Sequence, residues 1–184
     1  MSHEDFYGAV NFSVSAGLVP WHDPSEYVYA VTGKIIAYSE ADAEMEVGEI
    51  VLRVVLATEA TNQGEDLFEV CDADSAILEG IYAALFDQSG EIKEEFDIEP
   101  GWNSLVFLEK VEIDPPHCQT TLNIQAIETA LALFASEGLV VAVEEGLNLT
   151  IEAWKRLGFV RIGGARFVFR DQLKVNPYRD EKSV

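Results

Sequence analysis

A chain of 184 residues with 48% apolar and 10% aromatic content has the composition of a folded domain, and at this length roughly two-thirds of the unfolded surface is buried without a disulfide or structural metal. The formal net charge is −21 and lopsided: residues 1–110 hold 23 acids against 4 bases, and residues 111–184 hold 10 against 8. A surface of that sign repels a phosphate backbone, so direct nucleic-acid binding is disfavoured, and cationic partners such as a basic protein or a small amine are favoured. The same charge also serves plain solubility. No apolar run approaches 18 residues, and MSHEDFYGAV has no Lys or Arg before its first apolar stretch, so neither a membrane span nor a secretory leader is expected. Cys71 and Cys118 lie far apart and form no disulfide framework or metal-ligand spacing. The expectation is a cytoplasmic protein with reduced thiols and no metal.

In chain order, residues 1–26 are irregular, with Gly17, Pro20 and Pro24, and read either as an arm or as an early strand such as Gly8–Val14. Tyr27–Tyr38 is rich in β-branched and aromatic residues and predicts a strand, with Gly33 marking a candidate bulge. Val47–Thr58 predicts its partner, Ser39–Glu46 a turn or short helical loop between them, and Asn62–Asp66 a loop. Asp74–Phe86 places Ile77, Leu78, Ile81 and Leu85 on one helical face, with Asp74 as N-cap. Ser104–Ile113 predicts a third strand, which Asp114-Pro115-Pro116 breaks. A long helix is expected over Gln119–Glu137 with Gly138 after its end, and Leu139–Val143 reads as a strand buried on both faces. Asn148 or Thr150 caps a short helix that Gly158 stops, and Gly163-Gly164 turns a hairpin between Phe159–Ile162 and Arg166–Arg170.

The predicted order is β-β-α-β-α-β-α-β-β, an α/β (α+β) domain with helices on a mixed central sheet. Residues 1–26 form an N-terminal arm of undefined role, 27–173 a single domain, and 174–184 a polar tail.

Residues Leu105–Arg170 carry a resemblance. A strand ending at a proline corner leads to a long helix, a short buried strand, a helix ending Trp154-Lys155-Arg156-Leu157-Gly158-Phe159, and a hairpin. This resembles the acetyl-CoA-binding half of the GNAT N-acetyltransferase superfamily, whose signature Tyr-x-Lys-Leu-Gly-Phe the Trp154–Phe159 string is similar to. A purely structural account exists as well, since a C′ glycine followed by a hydrophobic C″ residue ends any helix this way.

The resemblance implies a GNAT-like fold with acetyl-CoA seated over the N-terminus of the long helix, where free backbone N–H groups and the helix dipole hold its pyrophosphate. The implied carrier site comprises Ile113, Gln119, Thr120, Thr121 and Asn123. The family's loop, Arg/Gln-x-x-Gly-x-Gly/Ala, is not preserved. Anchoring on Pro115 places Cys118, Thr121 and Asn123 in the Arg and Gly positions; anchoring on Pro116 places Gln119, Leu122 and Ile124 there. No glycine occurs between Gly101 and Gly138. The family's general-acid tyrosine is matched by Trp154, whose indole N–H donates a hydrogen bond but is no acid near neutral pH. The usual Asn of that helix falls near Leu147 or Asn148. Base candidates are Glu109 and Glu112 on the strand before the corner, with Glu49 and Glu59 near the earlier one. His117 at the corner reads either as a functional group or as a partly exposed loop histidine, Cys118 beside it has no clear orienting partner, and no zinc spacing, P-loop or nucleophile elbow is present.

Two readings stand. One is a non-catalytic binding or scaffold module whose acidic face takes a cationic partner, the carrier site being degenerate. The other is a divergent acetyl-CoA-dependent N-acyltransferase acting on a cationic amine.

Overall fold

Seven strands form one mixed sheet with helices on both faces in the computed structural model, which describes residues 8–16, 23–38, 43–98, 100–117, 120–147 and 149–175. The strands are β1 (Gly8–Ser15), β2 (Val28–Tyr38), β3 (Glu44–Val55), β4 (Ser104–Ile113), β5 (Gly138–Val143), β6 (Val160–Arg161) and β7 (Phe167–Asp171), in the spatial order β1-β2-β3-β4-β5-β7-β6. Every neighbouring pair is antiparallel except β4 and β5. That parallel pair requires a crossover, which is the long helix α4 (Thr120–Phe134).

The helices divide by face. α1 (Ala57–Gln63), α2 (Leu67–Asp74) and α3 (Ala76–Leu85) bury Ala60, Val70, Leu78, Ile81 and Leu85 against Leu105, Phe107, Leu139 and Val141. α4 and α5 (Ile151–Arg156) bury Ile124, Ile127, Leu131 and Trp154 against Val106, Leu108, Val140 and Ala142 on the opposite face. Alternation along β4 and β5 therefore feeds two cores, which is why Leu139–Val143 reads as continuously apolar. A short helix, α6 (Gln172–Val175), follows β7.

Several expectations need correction. The reading of residues 8–14 as a strand is the one present: β1 pairs with β2 without interruption from Gly8–Ala37 to Ser15–Ala30. Gly33 is not a bulge; it pairs in register with Phe12 and Ile50, and the irregularity falls at Ile35/Ile36, where Val47 is the extra residue. The strand predicted through Thr58 ends at Val55, and α1 occupies much of what reads as strand end and loop. The backbone explains this: the Leu56 N–H still donates to Tyr27 O, but the Thr58 N–H donates to Asn103 O, outside the ladder. Gly64 at φ +88 then closes α1, and the Asp66 carboxylate, accepting from the Phe68 N–H, opens α2.

Asp74 is the last residue of α2 and not the N-cap of α3; Ser75 breaks the two helices with extended backbone and caps α3 through Leu78 N–H. α4 stops at Phe134, and Gly138 begins β5 instead of capping the helix. Of the two candidate caps for α5, Thr150 accepts from Ala153 N–H, and Asn148 lies outside the described residues. Gly163-Gly164 does sit at the centre of the hairpin turn, closed by Ala165 N–H to Ile162 O, but the loop includes Ala165 and Arg166 before Phe167 re-pairs with Ile162.

Candidate functional site

β4 and β5 bond only from Ser104–Gly138 to Leu108–Ala142. Beyond Leu108, β4 continues five residues to Ile113 bonded to β3 alone, so the two strands part at their carboxyl ends. A bulge marks the point of divergence: Leu52 faces Leu108 and Val51 faces Lys110, leaving Glu109 as the extra residue. Such openings beside a parallel pair are where open α/β sheets place ligands.

On the face covered by α4 and α5, two buried polar atoms lack partners among the described residues: Asn123 Oδ1, in a residue 8% exposed, and Trp154 Nε1, in a residue 3% exposed. One is an acceptor and the other a donor, and leaving either unpaired costs about 1–3 kcal/mol. Asn123 belongs to the first turns of α4. Trp154 has a structural role as well: Gly158 adopts φ +76, the Phe159 N–H donates to Trp154 O at 3.0 Å, and the Phe159 ring meets the indole edge-on at 5.0 Å. That is a Schellman ending with its hydrophobic contact, so helix capping accounts for the Trp154–Phe159 string.

The predicted carrier residues are placed unevenly. Ile113 ends β4 and is buried with Val47, Leu122 and Ala126. Thr121 is exposed on α4 and Asn123 is buried. Gln119 and Cys118 lie outside the described residues, as does the side chain of Thr120. His117 is half-buried in a single 3-10 turn, its backbone N–H donating to Asp114 O at 2.8 Å. His3 and His22 also lie outside the described residues.

The four base candidates do not converge. Glu109 meets Arg53, whose Nε donates to Glu109 Oε2 at 2.9 Å while its Nη1 reaches Asp74 at 3.0 Å. Glu59 is exposed on α1. Glu49 and Glu112 share Lys110, and with Glu46, Gly48 and Asp114 they line an acidic hollow of about 310 Å³ at the far end of β3 and β4. Hydrogen bonds to Glu112 and then to Glu49 push the Lys110 ammonium pKa up. Glu109, Glu49 and Glu112 each already face a cation, Arg53 or Lys110.

Residues 57–98, the outer helical layer with its following loop, hold twelve acids and one base, and none of the twelve is buried. The one base, Lys93, donates to Ala83 O and Ala84 O at the end of α3, where a cation offsets the helix dipole. Asp74 meets Arg53 and Asp97 meets Lys174. No ion pair among the described residues joins the other ten. Composition gave the sign of this surface; which side of the molecule it covers depends on the packing of α1–α3.

Another cleft, of about 480 Å³, lies between Phe96, the β6–β7 hairpin and α6. Its cations are spent: Arg161 on Glu144, Arg170 on Leu157 O and Gln172, and Lys174 on Asp97. Burial lowers the pKa of the Arg170 guanidinium. Among the described residues no group of three His, Cys, Asp or Glu is placed to hold a metal ion, and no helix is long and apolar enough to cross a membrane. Comparisons with protein-family models, characterised proteins and solved structures find no match.

Proposed function

We propose that this protein is a binding module, built on a GNAT-like frame, that holds a basic protein partner on the acidic layer of α1–α3. The observation that carries the reading is the charge of residues 57–98, where twelve acids stand against a single lysine already engaged by α3. Surface carboxylates beyond the needs of solubility, left without internal cations, form a field that draws and orients a cationic partner. The order β4-α4-β5-α5-β6-β7 with a parallel β4–β5 pair supports the frame. The missing glycines at the start of α4 and the pairing of Glu109 and Glu112 with cations support a non-catalytic role.

The test is titration of the protein with a lysine-rich peptide at low and high salt. Binding at low salt that falls steeply as salt rises, and that weakens when Glu69→Lys and Asp72→Lys are introduced together, is the expected result. Absence of binding at low salt, or indifference to both changes, removes the proposal.

A second reading has its own support. The divergence of β4 from β5 and the unpartnered Asn123 Oδ1 and Trp154 Nε1 favour an acyl-CoA-dependent N-acyltransferase whose amide-bearing carrier satisfies both atoms. A carrier of Kd about 10 µM supplied at about 1 mM adds about 2.7 kcal/mol of stability by mass action. A thermal shift with acetyl-CoA checks it directly, and an unchanged melting temperature ends it for that donor.

A further inference from the structure

We infer that the protein forms a twofold dimer in which β1 pairs antiparallel with β1 of a second copy, making one continuous sheet through two chains.

Among the described residues, β1 is a terminal strand of the sheet and is eight residues long. Folded proteins guard such edges with charge, proline, bulges or shortness, because a row of free N–H and C=O groups recruits another strand. None of these guards is present here. Residues 8–16 contain no charged residue and no proline, in a chain with 33 acids, and the pairing with β2 runs without a bulge. The opposite edge of the same sheet is guarded: β6 is two residues long and carries Arg161.

Charge selects the occupant. Two copies at −21 each repel across most of their surfaces, and a neutral face lets them meet without that cost. The neutral face extends beyond the strand. Leu122, Ala126 and Thr129 of α4 line a groove against Gly8, Ala9 and Val10, and Leu133, 62% exposed, continues that row by helical spacing. Val14 is 53% exposed at the other end of β1. A basic partner is drawn to the acidic layer, not to this face.

The strand is also self-complementary. A twofold axis perpendicular to the sheet pairs residues of equal parity. In the register centred on Phe12, Val10 faces Val14 of the second copy and Phe12 faces its own counterpart on the α4 side. Asn11 faces Ser13 on the other side. Apolar side chains meet apolar ones and amide meets hydroxyl, which are stabilising cross-strand pairs. Isologous contacts of this kind close into a dimer and leave no further edge of the same type.

Sedimentation equilibrium of the full chain at moderate salt tests the idea, with a mass of twice 20.4 kDa expected in the micromolar range. Asn11 and Ser13 are both exposed, so substituting them spares the core. Asn11→Glu with Ser13→Glu sets like charges directly opposite across the axis and is expected to raise the dimer dissociation constant at least about tenfold. Asn11→Lys with Ser13→Glu sets opposite charges there and is expected to retain the dimer. Circular dichroism confirms that both variants fold. A wild-type monomer throughout, a dimer indifferent to the double glutamate, or equal disruption by both variants overturns the inference.

Discussion

The ring of Phe12 lies across the backbone of Gly33, its cross-strand partner, so closely that a Cβ at Gly33 falls 2.7 Å from Phe12 Cε1. The same Cβ falls 2.7 Å from Ile50 Cγ2 on the neighbouring strand. Phe12 in turn meets the Phe134 ring edge-on at 4.9 Å, so the missing side chain at Gly33 lets β1, β2 and α4 close on one another. An aromatic laid over a strand glycine restores the contact that the glycine gives up.

Gly33→Ala is expected to destabilise the fold by about 1–3 kcal/mol, the usual cost of overpacking, because the Phe12 ring must move off its site against Phe134. Urea denaturation measures this. A value within error of wild type shows that the ring is not fixed there.

At Gly48 the obstacle is backbone. A Cβ there falls 2.2 Å from Glu112 O and 2.9 Å from Ile113 Cα, beside the extra residue Val47. Main chain cannot swing away as a side chain does, so Gly48→Ala is expected to cost more than Gly33→Ala, with loss of β3–β4 pairing near Ile113. Comparing the two denaturation midpoints decides the order, and a smaller effect at Gly48 contradicts this packing.

Arg53 ties the end of α2 to the β4 bulge through Asp74 and Glu109. Its side chain is about one-third exposed, so solvent screening takes much of the gain. Arg53→Met is expected to lower stability by about 1 kcal/mol and to speed amide exchange in α2. Unaltered exchange in α2 shows that the helix is held by its apolar contacts alone.

Cys71 is buried in the α1–α3 core, and burial, followed by the nearby Asp74 carboxylate, pushes its thiol up to about 12 from 9.0. The raised value means that the folded state keeps the proton when the unfolded state loses it. Stability from this group is whole below pH 9 and declines between pH 9 and about 12, at up to about 1.4 kcal/mol per pH unit. Alkylation by iodoacetamide is accordingly expected to wait for unfolding at Cys71. Prompt labelling there at pH 8 in the native state refutes this.

Asn123→Leu removes a buried oxygen that has no partner among the described residues. It is expected to leave stability unchanged or raise it by about 1–2 kcal/mol. If the carrier reading holds, the same variant loses the acetyl-CoA thermal shift. A clear loss of stability shows instead that Asn123 is satisfied in solution, by water or a neighbour.

Local signals in the sequence were strong wherever one segment decides its own conformation. Ser104–Ile113 is a strand as read, because ten residues rich in Val, Leu, Phe and Ile allow little else. Gly158 and Phe159 end α5 through bonds that span five residues. Net charge and its bias toward residues 1–110 required no structure at all.

Tertiary structure decided what depends on register between distant segments. Whether Asp74 caps a helix or meets Arg53, whether Glu109 faces a ligand or a guanidinium, and whether Gly33 bends a strand or lies under Phe12 all turn on which residue stands opposite which. One inserted residue in β3 or β4 reverses the facing of everything that follows it. Periodicity along a single strand does not encode that choice, because it is made by the packing of both cores at once.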